Sequence, residues 1–230
     1  MYMVEEIVDI ALGRHVAGRK YIQDLFDLMR DTPGFRNGQL AAYCGNIRQH
    51  MILTFWEDAD GYQQWLNSAE AKKLSEAGRP YRVRPGAGKF WELFLDTPGP
   101  EQGNFLNQGI LQVRDLARWD EFMEQRHEHD ANAQSAGGLV YVRSYKYVGE
   151  VEEPHFNPRT TAIQVRRTGR PAYERSVEMN AAKEAAHGKP AYISISPQLP
   201  DRTGLHDIIY EVSKEPVSAK QAQSTALGVA

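Results

Sequence analysis

Three tyrosines and an arginine share one face of a short segment, and no other stretch of the chain puts so much chemistry on so few residues. Between Leu139 and Val148 the sequence reads LVYVRSYKYV. In an extended chain Val140, Val142 and Val148 fall on one side, while Tyr141, Arg143, Tyr145 and Tyr147 fall on the other. Phenols line a pocket with aromatic bodies and polar tips, and a guanidinium holds a carboxylate or phenolate, so this face suits a planar, partly anionic or phenolic small molecule. In that reading Arg143 and Tyr145 act on the substrate, by holding the anion and by moving or orienting a proton. Tyr141, Tyr147 and Asp9 complete the candidate substrate-binding set. The plainer use of the same residues is structural: tyrosines fill a barrel, and Arg143 pairs with a carboxylate such as Glu211 or Asp9.

Other reactive types carry weaker signals. His127-Glu128-His129-Asp130 puts two imidazoles two residues apart, which on a helix point in different directions, so a solvated charged face is expected rather than a metal site. His155 and His206, with Glu153 or Asp207, show no ligand spacing, and no metal is expected. Cys44 is the single cysteine and has no identifiable base, so it reads as a small buried hydrophobe. Arg84 to Gly88 is too short for a phosphate loop and precedes a strand, so no tightly bound nucleotide is indicated. With 27 basic and 30 acidic residues, a net charge of -3 and no basic block, nucleic acid is not an expected partner. No apolar run approaches a membrane span, and the opening MYMVEEIVDIALGR lacks a basic start, so a cytoplasmic protein without a membrane partner is expected.

The 230 residues allow two units of ordinary domain size. Val8, Ile10 and Leu12 alternate with Ile7, Asp9 and Ala11 as a first strand, residues 18–30 carry Ile22, Leu25, Phe26 and Met29 at helical spacing, and Gln39–Cys44 and His50–Trp56 read as a hairpin. A single helix is expected from Glu57 to Gly78 and a strand from Lys89 to Leu95, giving strand, helix, two strands, helix, strand. Residues 96–103, with two prolines and two glycines, read as a linker. The same order then returns: a strand over 109–114, a helix over 116–130, strands over 139–148 and 160–167, a helix over 171–187 and a last strand over 206–212, with an extra β-like piece at 191–196. The expected fold class is α+β, two ferredoxin-like βαββαβ units (residues 1–97 and 104–216) forming a dimeric α+β barrel type pseudo-dimer, followed by a flexible tail (217–230). Each sheet with helices on one face leaves the other bare, so the two bare faces are expected to meet around a ligand cavity.

The segment LTFWEDADGYQQWLNSAEAKKL, residues 53–74, resembles the antibiotic biosynthesis monooxygenase family, including its haem-degrading branch. The matching features are Trp56, Glu57-Asp58, Trp65 and Ser68, with Pro33-Gly34-Phe35 ahead of the hairpin. The resemblance covers residues 1–95 well and the second half by element order alone. It implies a barrel normally built from two chains, and a small oxygenase that oxidises aromatic or polyketide-like phenols with molecular oxygen and no cofactor. It also implies that Trp65 and Asn67 are site residues. Against this, a helix tryptophan packed on a sheet is commonly core. The haem branch would place an axial histidine where Ser75 stands and an asparagine near Val8 or Asp9, and both are absent. His187, in Lys183-Glu-Ala-Ala-His187, resembles the end of the haem-ligand helix and would be the iron ligand if haem were bound; a histidine at a helix C-terminus is equally favoured by the dipole alone. The leading expectation is therefore a monooxygenase. A haem-binding protein, a non-catalytic binding module and an isomerase or lyase remain alternatives, and a further pairing of two chains stays open.

Overall fold

Met3, Glu5 and Ile7 alternate with Val4 and Val8 along β1 (Tyr2–Asp9), so the first strand lies nearer the terminus than the Val8–Leu12 alternation suggests. Gly13, at φ 76°, turns the chain just after it and leaves Leu12 81% exposed. The computed structural model describes residues 1–81, 88–149, 157–188 and 204–214. The β-like piece at 191–196, the tail at 217–230, the Arg84–Gly88 loop up to residue 87 and His155 with Glu153 fall outside the described residues.

Helix α1 (His15–Met29) buries Tyr21, Ile22, Leu25, Phe26 and Met29, the stripe that its periodicity predicts. Strands β2 (Phe35–Tyr43) and β3 (Gln49–Trp56) form the hairpin. The single helix expected after it is two: α2 (Ala59–Asn67) and α3 (Ala69–Gly78). Ser68 divides them, because its backbone is extended (φ -66°, ψ 154°) and its hydroxyl accepts the Ala71 N–H at 3.0 Å as the N-cap of α3. Strand β4 (Lys89–Pro98) runs on through Asp96–Pro98, where a linker was expected. The remaining connection is held tightly: the Gly99 N–H donates to the Val140 carbonyl at 2.9 Å, and a Cβ at Gly99 would stand 2.1 Å from the Leu139 carbonyl oxygen. Then follow β5 (Phe105–Gln112), α4 (Trp119–Ser135), β6 (Leu139–Tyr147), β7 (Thr160–Arg167), α5 (Arg170–His187, with Pro171 in its first turn) and β8 (Gly204–Ser213). No helix among the described residues is long and apolar enough to cross a membrane.

The eight strands close into one antiparallel barrel in the order β1-β3-β2-β8-β5-β7-β6-β4. Each half supplies four neighbouring strands, and the halves join edge to edge through two backbone ladders. At one seam β2 pairs with β8, placing Gln39 opposite Glu211; at the other β4 pairs with β6, placing Trp91 opposite Tyr147 and Asp96 opposite Arg143. The helices cover the outside in two separate apolar layers, one over each half. A third cluster fills the inside: Met3, Ala41, Met51, Leu53, Phe55, Trp91, Leu106, Ile110, Tyr141, Tyr145, Tyr147, Ala162 and Ile208. Met3, Leu53, Trp91, Tyr145, Ala162 and Gln164 have no accessible surface, so no water-sized void borders them. The expected ligand chamber is occupied by the barrel's own side chains at this level.

The β2–β8 seam is pinned by a polar knot. Arg166 grips Glu211 with two bonds of 3.0 and 2.9 Å, and Asn37 and Gln39 donate to the same carboxylate at 2.9 and 2.8 Å. Burial opposes ionisation of Glu211, but the hydrogen bonds and charge of Arg166, aided by Asn37 and Gln39, outweigh it and hold the carboxyl below its ordinary range. Glu211→Ala strands the Arg166 charge in the barrel wall and is expected to cost about 3 kcal/mol, read as a lower urea midpoint; the figure takes the low end of buried-pair values because Glu211 keeps some exposure. Loss under about 1 kcal/mol would mean the knot is incidental to closure.

His206, beside the Tyr43 ring at 5.4 Å, is 7% exposed, and burial pulls its pKa from 6.5 down to about 4. The folded chain thus resists protonation that the unfolded chain accepts, so stability is full above pH 6.5 and declines as pH falls toward 4. That decline is expected to reach about 3 kcal/mol in total, and His206→Gln should flatten it in denaturation curves taken between pH 7 and 4. An unchanged slope in the variant would refute the assignment.

Candidate functional site

Along β6, Tyr141, Tyr145 and Tyr147 belong to the cluster inside the barrel, and Val142 packs against the helix layer. A bulge between Leu139 and Tyr141 shifts the register of β6 against β7, and Val140 packs on the inner cluster rather than the outer one. Arg143 pairs with Asp96 (Nε to Oδ1, 3.2 Å), the residue opposite it in the ladder, and not with Glu211 or Asp9. Its guanidinium lies 4.3 Å over the Tyr141 ring and 6.0 Å from the Phe55 ring, while Arg166 approaches Tyr141 at 5.9 Å. Tyr141 is thus flanked by two cations at one end of the barrel. Tyr145 is wholly buried, and burial raises its hydroxyl far above the ordinary phenol value, so it holds its proton at neutral pH. Tyr147 meets Trp91 edge to face at 5.5 Å. Asp9, at the last position of β1 opposite Gln49, is at the other end of its strand from Tyr2, which pairs beside Trp91 in β4. The β6 face is packing at its centre and a salt-bridged rim at its end.

The residues carried by the family resemblance do not meet it. Trp65 is 5% exposed in the outer core of the first half, together with Trp56 and Tyr62. Asn67 ends α2, is exposed, and lines a shallow surface depression with Asp60, Gln63, Gln64 and Ser68. His187 closes α5 and is exposed. A haem needs a protected slot and an inward-facing ligand; these positions offer neither, so they do not fit that group. Among the described residues no group of three His, Cys, Asp or Glu side chains could hold a metal ion. Cys44 is exposed and points its Sγ at the Asp207 carboxylate, 3.7 Å away, and is not a buried hydrophobe.

A cavity of about 120 Å³ opens instead under the helices of the second half. Asn107 of β5 and Val165 and Arg167 of β7 form its floor; His129, Asn132 and Ala133 of α4 form one wall, and Tyr173, Ser176, Val177 and Asn180 of α5 the other. The helix residues recur at helical spacing, so each wall is one face of its helix. On its sheet side α5 buries only Ala172 and Ser176, side chains too small to fill the space between the helix and the sheet. Over the first half, Phe26, Trp56, Tyr62 and Trp65 fill the corresponding layer.

The wall at His129 corrects the reading of its segment. His127 and Glu128 are exposed, as a charged face requires, but Asp130 is 2% exposed, bonded to Arg126 and to the Thr97 hydroxyl (3.0 Å), and His129 turns to the cavity. Burial lowers the His129 pKa; the hydrogen bond with Asp130 works against that, and the nearby charge of Arg126 reinforces it. The imidazole is therefore neutral at pH 7 and able to accept a proton. Arg167 is 3% exposed and donates through Nη1 to the Gly137 carbonyl at 3.0 Å and the Ala133 carbonyl at 3.4 Å. Asn107, His129, Arg167 and Asn180 were missed in the sequence. For the two strand residues the signal is polarity on a face that should meet helices: Asn107 shares its face with Phe105 and Leu111, and Arg167 with Ile163 and Val165.

No family model matches the chain, and no curated protein matches it by sequence. Its fold is shared by solved structures. A protein from Fusobacterium nucleatum aligns with a TM-score of 0.68 at 8% identity, over 94% of this chain and 95% of its own, and one from Lactobacillus acidophilus with 0.66 at 12%, over 94% and 97%. Both are named provisionally as monooxygenases. An anthrone oxidase-like protein aligns with 0.63 at 10% identity, over 95% of each chain. At these identities the likeness is one of fold, and it spans both halves together. The chain has the monooxygenase-like α+β barrel fold in its tandem form, two ferredoxin-like units closed into one barrel within a single polypeptide.

Proposed function

We propose that the chain is a monooxygenase that oxidises a small aromatic substrate with molecular oxygen in the cavity beneath α4 and α5. The observation that carries this reading is a neutral imidazole, His129, facing a cavity that also presents Arg167. The names of the aligned structures, two monooxygenases and an anthrone oxidase-like protein, support the reaction class. A cavity near 120 Å³ holds about one ring, judged against the roughly 150 Å³ known to accommodate benzene. His129 takes a proton from a phenol or from an acidic ring carbon, and the resulting electron-rich anion reacts with oxygen. One oxygen atom ends on the carbon, the other leaves as water, and two hydrogens leave the substrate. Arg167 steadies the anion as it forms, and Tyr173, Ser176 and Asn180 orient the ring. Arg143, Tyr145, Trp65 and Asn67 contribute stability or surface in this scheme, not chemistry.

Oxygen uptake with single-ring hydroquinones and catechols, in metal-free buffer, tests the reading. His129→Gln is expected to lower turnover by about 10²- to 10⁴-fold, the usual yield of general base catalysis, whereas Arg143→Ala and Asn67→Ala leave it within a few-fold. Because the His129 pKa is lowered, wild-type activity should persist below pH 6.5 and fall only when the imidazole protonates. Absence of uptake by the wild type with every substrate would leave a non-catalytic binding module, the reading favoured by a cavity of this size with no chemistry.

A further inference from the structure

We propose that the ligand of the cavity beneath α4 and α5 is an anion, a single aromatic ring bearing a carboxylate or phenolate oxygen that ion-pairs with Arg167. The inference rests on the cavity being the functional site and goes further by fixing the charge and the anchoring residue. Among the described residues two arginines of this half are buried, Arg126 and Arg167, and Arg143 and Arg166 are partly so, Arg143 being paired with Asp96. Arg126 is paired with Asp130 within α4, and Arg166 is paired with Glu211 inside the barrel. Arg167, next along β7 and on the opposite face, is 3% exposed and has no carboxylate within ion-pair distance among the described residues. Its Nη1 caps the end of α4 through the Gly137 and Ala133 carbonyls, but its Nε is buried with no acceptor. Among the described residues no acidic side chain lines the cavity. The side-chain amides around it, Asn107, Asn132 and Asn180, are neutral and can donate, while the Ser176 hydroxyl already donates to the Tyr173 carbonyl at 2.8 Å.

A guanidinium keeps its proton under these conditions, so folding leaves a buried positive charge that protein groups only partly solvate. Arg175 lies close enough to add to the positive potential there. An anion entering the cavity supplies the missing counter-charge and a second acceptor, and a planar oxyanion matches the guanidinium fork. The aromatic ring then rests against Val165, Ala133 and Val177.

Titration calorimetry under nitrogen with benzoate, 4-nitrophenolate and neutral benzamide tests this without turnover. Benzoate or 4-nitrophenolate, or both, should bind at least tenfold more tightly than benzamide, and the pair shows which oxyanion is preferred. Arg167→Gln should abolish that preference and Arg167→Lys retain part of it. Val177→Trp, a change at a 46% exposed position on the cavity wall, should block binding with the fold intact. Equal binding of benzoate and benzamide by the wild type overturns the proposal, as does anion binding that survives Val177→Trp. Neither requires Arg167→Gln to fold. Anion binding without oxygen uptake would sink the monooxygenase reading and leave this inference standing.

Discussion

Two backbone ladders, β2 with β8 and β4 with β6, determine what the rest of the molecule can do. A four-stranded sheet has two unsatisfied edges, and each half here satisfies both of its edges with the other half. Closure at eight strands gives an interior about as wide as the side chains that point into it. Once the ladders form, Met3, Leu53, Trp91, Tyr145 and Ala162 come together in one cluster, and at their level the barrel is packed rather than hollow. Charges on the inner face are tolerated where they are paired, as with Glu211 and Arg166, or where they reach the rim, as with Arg143 and Asp96.

With the barrel filled, the open recess lies outside the sheet, under the helices, and there the halves differ. Over the first half, aromatic side chains from α1, α2, β2 and β3 make a dense layer in which Trp65 is one more packing residue. Over the second half α5 brings small and polar side chains, and α4 brings His129 and Asn132, so the layer is left open and lined with hydrogen-bonding groups. Related units of one architecture thus differ: one carries a dense aromatic layer, the other a polar recess with an imidazole and a cation that has no carboxylate partner among the described residues. This asymmetry follows from side-chain volume and polarity on the helix faces, not from topology.

Much of the architecture was legible because it depends on local pattern. The order of elements in each half, the inward turn of Tyr141, Tyr145 and Tyr147, and the helix stripe from Ile22 to Met29 all follow from period-two or helical spacing. Ser68 reads as part of a helix because a cap residue between two helical stretches leaves the spacing almost intact. Asp96–Pro98 reads as linker because prolines and glycines dominate residues 96–103, yet pairing with β6 extends β4 through it. The recess was illegible for a different reason. It depends on α5 lacking an apolar stripe and on one polar residue facing outward from each of two strands far apart in sequence. Nothing in the sequence signals that Arg166 pairs with Glu211 while Arg167 has no carboxylate partner among the described residues.

The account stands on the claim that the inside of the barrel is solid and that ligands enter the recess beneath α4 and α5. Methyl NMR of the intact chain labelled at Ala, Val and Met separates the two locations directly, since Ala133, Val165 and Val177 line the recess while Met3, Met51 and Ala162 pack the interior. Titration with an aromatic ligand is predicted to shift the first three resonances in a saturable manner and leave the second three unmoved. Saturable shifts at Met3, Met51 and Ala162, with Ala133, Val165 and Val177 unaffected, would contradict it.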